Sequence, residues 1–161
     1  MHTVLVNNAG IVHRKNEQGT DARAHFVDTF NINVAGVAIV MDSFIPLLRK
    51  SQDPRIVNLS SRVGSISNAA RSEYPITDQI GYNVSKTALN RLTIDYTKLY
   101  RDISFYCVCP GYCKTNLNGY DGFKDPLDGG FVVQELVQAK KGKYGFGFYH
   151  FDHGKMRTCE W

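Results

Sequence analysis

Ser60-Ser61-Arg62-Val63-Gly64 and, after an irregular loop, Tyr82-Asn83-Val84-Ser85-Lys86 decide how this chain is read. The first stretch closes an apolar, strand-like run, and the second opens a helical one. Tyr82 and Lys86 are four apart, so on a helix they share one face, one turn above the other. A tyrosine ordinarily ionises near pH ~10 and exchanges protons poorly at neutrality. A cation beside it favours the phenolate and lowers that pKa. The pair is thus an acid–base device, with Ser61 as a hydroxyl to grip a carbonyl or alcohol oxygen. The same spacing also occurs on ordinary solvated helix faces, so the surrounding pattern has to decide.

Outward from this stretch, strands alternate with helices. Residues 3–6, 55–59, 103–109 and 144–151 read as strands from their β-branched and aromatic runs. Three end on polar or turn-forming residues: Asn7-Asn8-Ala9-Gly10, Ser60-Ser61 and Pro110-Gly111. Helical periodicity spans 21–48, with Phe26, Phe30, Val34, Val37, Met41, Phe44 and Leu48 as its apolar face. Thr20 or Asp21 would cap it, and Pro46 would kink or shorten its end. A second helix covers 78–100, burying Val84, Ala88, Leu92, Tyr96 and Leu99, and a third covers 130–140. Residues 12–20 and 65–77 read as polar loops, and 112–127 as a mobile one. Alternation of this kind predicts an α/β fold, a doubly wound parallel sheet of about four strands in one domain. In such sheets ligands bind at the carboxyl ends of the strands, where the three polar motifs fall.

The 161 residues carry a net charge of +4 spread along the chain, and the local run Lys140-Lys141-Gly142-Lys143 is too short to imply nucleic acid. No apolar run approaches the ~20 residues of a membrane span. Met1 leads directly into a strand without a signal-peptide pattern, so a cytoplasmic protein is expected. Cys107, Cys109, Cys113 and Cys159, even with His150 and His153, lack the paired spacings of a structural zinc site. No metal is expected.

In order, Asn7-Asn8-Ala9-Gly10, Asn33 within Asn31-Ile32-Asn33-Val34, Ile56 through Ser61, Tyr82-x-x-x-Lys86 and Pro110-Gly111-x-x-x-Thr115 resemble the short-chain dehydrogenase/reductase family, and the ending resembles its carbonyl-reductase-like branch. The resemblance implies an NAD(P)-dependent oxidoreductase, NADP slightly favoured over NAD, acting on a small-molecule carbonyl or alcohol, with a homo-oligomer compatible. It implies that Tyr82 exchanges the substrate proton and that Lys86 lowers its pKa and binds the nicotinamide ribose. It further implies that Ser61 holds the substrate oxygen and Asn33 a water leading from Lys86. Asn8, Ala9 and Gly10 would approach the cofactor, and Pro110, Gly111 and Thr115 would seat its carboxamide. Plainer roles stay open: Asn33 bonding backbone where a helix bends, Asn8 and Gly10 as turn residues, and Thr115 as a helix cap.

Two departures from the family pattern stand out. The separation of Ser61 and Tyr82 is longer than usual, and the extra residues fall in 65–77, at the mouth of the site. The chain also opens at what would be the family's fourth strand, without the Gly-rich turn that cradles a pyrophosphate. The other reading is therefore a catalytically inactive remnant or binding module that pairs with a full-length related subunit.

Overall fold

The computed structural model describes residues 2–13, 22–71, 73 and 78–161. Four apolar runs form parallel strands, β1 (His2–Asn7), β2 (Asp53–Leu59), β3 (Ser104–Cys109) and β4 (Gly147–Asp152), paired in sequence order. Parallel neighbours need crossovers, and helices supply them. α1 (Ala22–Phe30) and α2 (Val37–Leu48) join β1 to β2. The one-turn α3 (Ile66–Ala69) and the long α4 (Ile80–Leu99) join β2 to β3, and α5 (Pro126–Gln138) joins β3 to β4.

A fifth strand, β5 (Lys155–Thr158), returns antiparallel along β4 after a left-handed turn at His153 and Gly154. About four strands were expected. β5 reads Lys-Met-Arg-Thr, with no apolar alternation of its own, and is a strand because β4 offers it an edge.

The sheet is covered on both faces. Ile56 and Phe105 pack with Val37, Met41, Ile45 and Leu48 of α2 and with Leu89 and Tyr96 of α4. Their neighbours Val57 and Tyr106 alternate to the other face, under Val132 and Leu136 of α5. Burial on both sides is why these strands read as continuous apolar runs. α5 begins at Pro126, earlier than expected, because Asp125 caps it by accepting the Leu127 N–H at 2.8 Å. Its other end is held by Arg55, 2% exposed on β2. That guanidinium pairs with Asp53 and donates to the carbonyls of Leu136 (2.5 Å) and Ala139 (2.6 Å). A buried cation thus meets the negative end of the helix and the carbonyls the helix itself leaves unpaired.

Both long helices depart from their expected faces. The stretch from Ala22 to Leu48 contains a π-helical segment, Asn31–Gly36, whose extra residue rotates α2 relative to α1. Val37, Met41, Ile45 and Leu48 are buried, whereas Phe26 and Phe44 are exposed. Pro46 does not stop the helix. The expected caps at residues 20 and 21, and most of both polar loops, lie outside the described residues. By length and composition alone, Ala22–Leu48 is apolar enough to cross a membrane, which corrects the expectation that no run is. Here it lies against β1 and β2 with its buried side in the core. α4 keeps part of its expected apolar face, with Tyr96 buried and Leu92 packed against the core, and departs from it at both ends. Ser85, Lys86, Leu89, Asn90, Thr93 and Tyr96 face inward, while Val84 and Leu99 stand 46% and 71% exposed.

The loop 112–127, expected to be mobile, is tied by its own backbone. The Lys114 N–H donates to the Lys124 carbonyl at 2.9 Å and the Lys124 N–H to Tyr112 at 3.1 Å. Gly122 permits this closure, since a Cβ there would lie 2.3 Å from the Cys113 carbonyl carbon.

Candidate active site

Ser61 is the first residue but one past β2. Its extended backbone feeds a 3₁₀ turn, Arg62–Gly64, and its Oγ accepts the Val63 N–H at 3.4 Å. That turn lies directly on α4, and Gly64 makes the approach possible: a Cβ there would sit 2.6 Å from the carbonyl carbon of Lys86. The Gly64 carbonyl accepts the Thr87 hydroxyl at 3.0 Å and the Asn90 amide at 3.3 Å. Held in this way, the Ser61 hydroxyl lies near enough to Tyr82 to favour its ionised form. Ser60 is buried instead and donates to Asn90 Oδ1 at 2.5 Å, so it steadies the end of the strand.

Lys86 is buried one turn beyond Tyr82, its Nζ 5.5 Å from the Tyr82 ring centroid. The ammonium donates to the Leu59 carbonyl at 2.7 Å. Among the described residues no other acceptor takes its remaining protons. Burial pulls the Lys86 pKa down to about 8, with Cys107 and Cys109 opposing the shift. Burial also pushes Tyr82 up to about 12, helped by Cys109 and opposed by the Ser61 hydroxyl. A Tyr82 pKa lowered by its lysine was expected; desolvation dominates instead and the phenol keeps its proton.

Asn33 lies fully buried inside the π-helical segment. Its Oδ1 accepts the Ile11 N–H at 2.9 Å, and its Nδ2 donates to the Ile11 carbonyl at 2.9 Å and to Ser85 Oγ at 3.0 Å. Ser85 Oγ in turn donates to the Tyr82 carbonyl at 2.7 Å. Asn33 therefore fastens the segment after β1 to the turn of α4 that carries the pair, and both its amide protons are engaged in doing so. Gly10 lies over the same spot: a Cβ there would come 3.3 Å from Asn33 Oδ1 and 3.5 Å from Lys86 Nζ. Asn8 and Ala9, beside it, are exposed.

Pro110 and Gly111 follow β3, with Gly111 at φ 90°, a conformation that suits glycine. Thr115 stands apart at the start of a 3₁₀ turn, where its N–H donates to Asn118 Oδ1 at 3.3 Å. Among the described residues none of its bonds reaches Ser61, Tyr82 or Lys86. Apolar periodicity passes over Ser85, Asn90 and Thr93. All three share the inward face of α4 with Lys86, at helical spacing, so a search for polar rather than apolar periodicity finds them.

These groups meet the needs of a nicotinamide nucleotide in part. The free protons of Lys86 suit a ribose diol, and the missing side chain at Gly10 keeps the space beside that ammonium clear. Among the described residues no Gly-rich turn after a strand offers a cradle for a pyrophosphate.

Residues 3–122 match the family described as short chain dehydrogenase. A short-chain dehydrogenase of Penicillium roqueforti is 37% identical over 166 residues, covering 98% of this chain and 66% of its own length. A short-chain dehydrogenase/reductase of Aspergillus fumigatus is 30% identical with the same coverages. The carbonyl reductase Sniffer of D. melanogaster superposes with a TM-score of 0.77 at 27% identity, over 98% of this chain and 66% of that one. An NADPH-bound carbonyl reductase from chicken fatty liver gives 0.75 at 25% identity, with coverages of 98% and 65%. The chain thus spans about two thirds of the length of the proteins it matches.

Proposed function

The chain belongs to the short-chain dehydrogenase family, and from that premise we propose that it forms the catalytic part of a cytoplasmic, NADP(H)- or NAD(H)-dependent oxidoreductase interconverting a small carbonyl compound and its alcohol. The observation that carries this reading is the Lys86 ammonium 5.5 Å from the centre of the Tyr82 ring, with Ser61 beside that phenol at the carboxyl end of the sheet. Bound nicotinamide supplies or takes the hydride. Ser61 holds the substrate oxygen. Tyr82, protonated at neutral pH, donates to that oxygen, and the Lys86 ammonium, still charged below about pH 8, stabilises the phenolate left behind.

Tyr82→Phe tests the reading, because it removes only the ionisable hydroxyl. Turnover of a carbonyl substrate, followed by NADPH absorbance, should vanish while NADPH binding persists. Near-wild-type turnover rejects Tyr82 as the proton donor. A second reading, a non-catalytic module that pairs with a related subunit, is favoured by one observation: β1 bonds to β2 on one side and forms the edge of the sheet on the other. It predicts no turnover by either form.

A further inference from the structure

Beside Tyr82 the sheet presents a row of side chains that the proton chemistry does not use. Cys109 on β3 is paired with His150 on β4, and His150 with Arg157 on β5. Paired residues on neighbouring strands share a face, spaced ~5 Å apart. Cys109 starts this row next to Tyr82 and Lys86, whose electrostatics both register it. Arg62 directly follows Ser61, and its N–H donates to Cys109 Sγ at 3.3 Å. Arg62, Cys109, Lys124 and His150 line a cavity of about 120 Å³, roofed by Tyr112 and Phe123 of the bridged loop. His150 lies in the field of all three cations: besides burial, Arg62, Arg157 and Lys124 each depress its pKa, against Asp152.

The charges are unbalanced. Asp152, the carboxylate in the cavity wall, is engaged by His153 at 3.0 Å. Lys124 Nζ donates once, to the Phe151 carbonyl at 3.2 Å. Among the described residues, the side chains of Arg62 and Arg157 have neither an ion pair nor a hydrogen bond. Two cations, Arg62 and Lys124, face one carboxylate, Asp152, around so small a space, with Arg157 one strand further out beside His150, and this excess of positive charge attracts an anion placed among them.

We propose that the cavity walled by Arg62, Lys124 and His150, with Arg157 at its outer end, is an anion subsite for the carboxylate of an oxo-acid substrate, whose carbonyl then reaches Ser61 and Tyr82. A cofactor phosphate is the other source of such a charge, but the place argues against it. The cavity lies at the β3–β4 end of the sheet, whereas Gly10 and the exposed Asn8-Ala9 backbone lie at the β1 end. Tyr112 and Phe123 add an apolar roof that suits an organic acid better than a bare phosphate. The proposal deepens the carbonyl–alcohol reading and rests on it for the word substrate; the binding of the anion does not depend on turnover.

The test compares benzoylformate with its methyl ester, two ketones alike but for the charge, binding to the 161-residue chain by titration calorimetry at low salt. The acid should bind about tenfold more tightly than the ester, the scale of one charge-assisted hydrogen bond. Arg62→Gln should remove that preference while leaving the ester's affinity unchanged. Arg62→Lys should restore part of it, and added salt should weaken the acid alone. Equal affinities for acid and ester, no detectable binding of the acid to folded chain, or a preference indifferent to Arg62→Gln would each overturn the proposal. So would an Arg62→Gln variant that loses NADPH affinity but keeps its preference for the acid, which would assign the charge to the cofactor. A chain that discriminates acid from ester yet reduces neither would support the subsite and count against the catalytic reading alone. An active chain indifferent to the charge would do the reverse.

Discussion

Gly64→Ala is the change that most directly tests how the fold makes the site. The added Cβ would lie 2.6 Å from the Lys86 carbonyl carbon and 2.8 Å from Lys86 Cβ and the Thr87 nitrogen. Carbon atoms rest at ~3.5–4.0 Å, so the 3₁₀ turn must withdraw from α4 by about 1 Å. The obstacle is backbone on a long helix, so α4 cannot yield as a flexible side chain would. Withdrawal stretches the two bonds to the Gly64 carbonyl, from Thr87 at 3.0 Å and Asn90 at 3.3 Å. Overpacking costs about 1–3 kcal/mol and two weakened hydrogen bonds add roughly 1–2, for a loss of about 2–5 kcal/mol. In a domain of this size that lowers Tm by roughly 4–20 °C. Ser61 moves with the turn and Tyr82 stays with α4. Reacting groups misplaced by ~1 Å lose on the order of 100-fold in rate, so turnover measured well below Tm should fall by that much. Urea unfolding and carbonyl turnover, run on the same preparation, measure the two effects separately. Wild-type stability together with wild-type turnover would show that the contact is not as tight as described, and that Gly64 does not position Ser61.

Three other perturbations probe the frame. Arg55→Ala leaves Asp53 buried without its cation and the α5 carbonyls without a donor, and should cost about 3–5 kcal/mol in denaturant unfolding; a loss under ~1 kcal/mol would refute the claim that Arg55 anchors α5. Lys86 has a folded pKa of about 8 against an ordinary 10.5, so between these values the unfolded chain holds more protons and stability rises with pH. Relative to Lys86→Met, which has nothing to titrate there, the wild type should therefore gain on the order of 3 kcal/mol across that window; a flat difference would mean that Lys86 is not desolvated. Val6 is 37% exposed on β1, which among the described residues pairs on one side only and so leaves an apolar edge. The 161-residue chain should self-associate in sedimentation velocity, and Val6→Lys should reduce it; a monodisperse wild-type chain would refute this.

Local patterns in the sequence were enough to locate β1 through β4, the alternation that makes them parallel, and the Tyr82–Lys86 spacing on one helical face. Those features depend on residues near one another along the chain and on periods of two and of about 3.6. The strand ends alone put Asn8 to Gly10, Ser61 and Pro110-Gly111 on one edge of the sheet, and the family resemblance added Asn33. What local pattern misjudged was which way things face. α4 turns inward a face that joins polar residues, which bond to β2 and its end, with Leu89 and Tyr96 of the core, so only Val84 and Leu99 of the expected stripe stand clearly exposed. The π-helical turn at Asn33 rotates α2 by a residue that no periodicity announces. β5 exists only because β4 has a free edge, and the loop 112–127 closes because Gly122 lets Cys113 approach. The pKa of Tyr82 shows the limit most plainly. Spacing supplied the neighbouring cation, which predicts a fall; burial by β2, β3 and the Arg62–Gly64 turn supplied the desolvation, which produced a rise. Proximity along a helix can be read from a sequence, whereas removal from water depends on every element that folds over the group, and only the tertiary structure decides it.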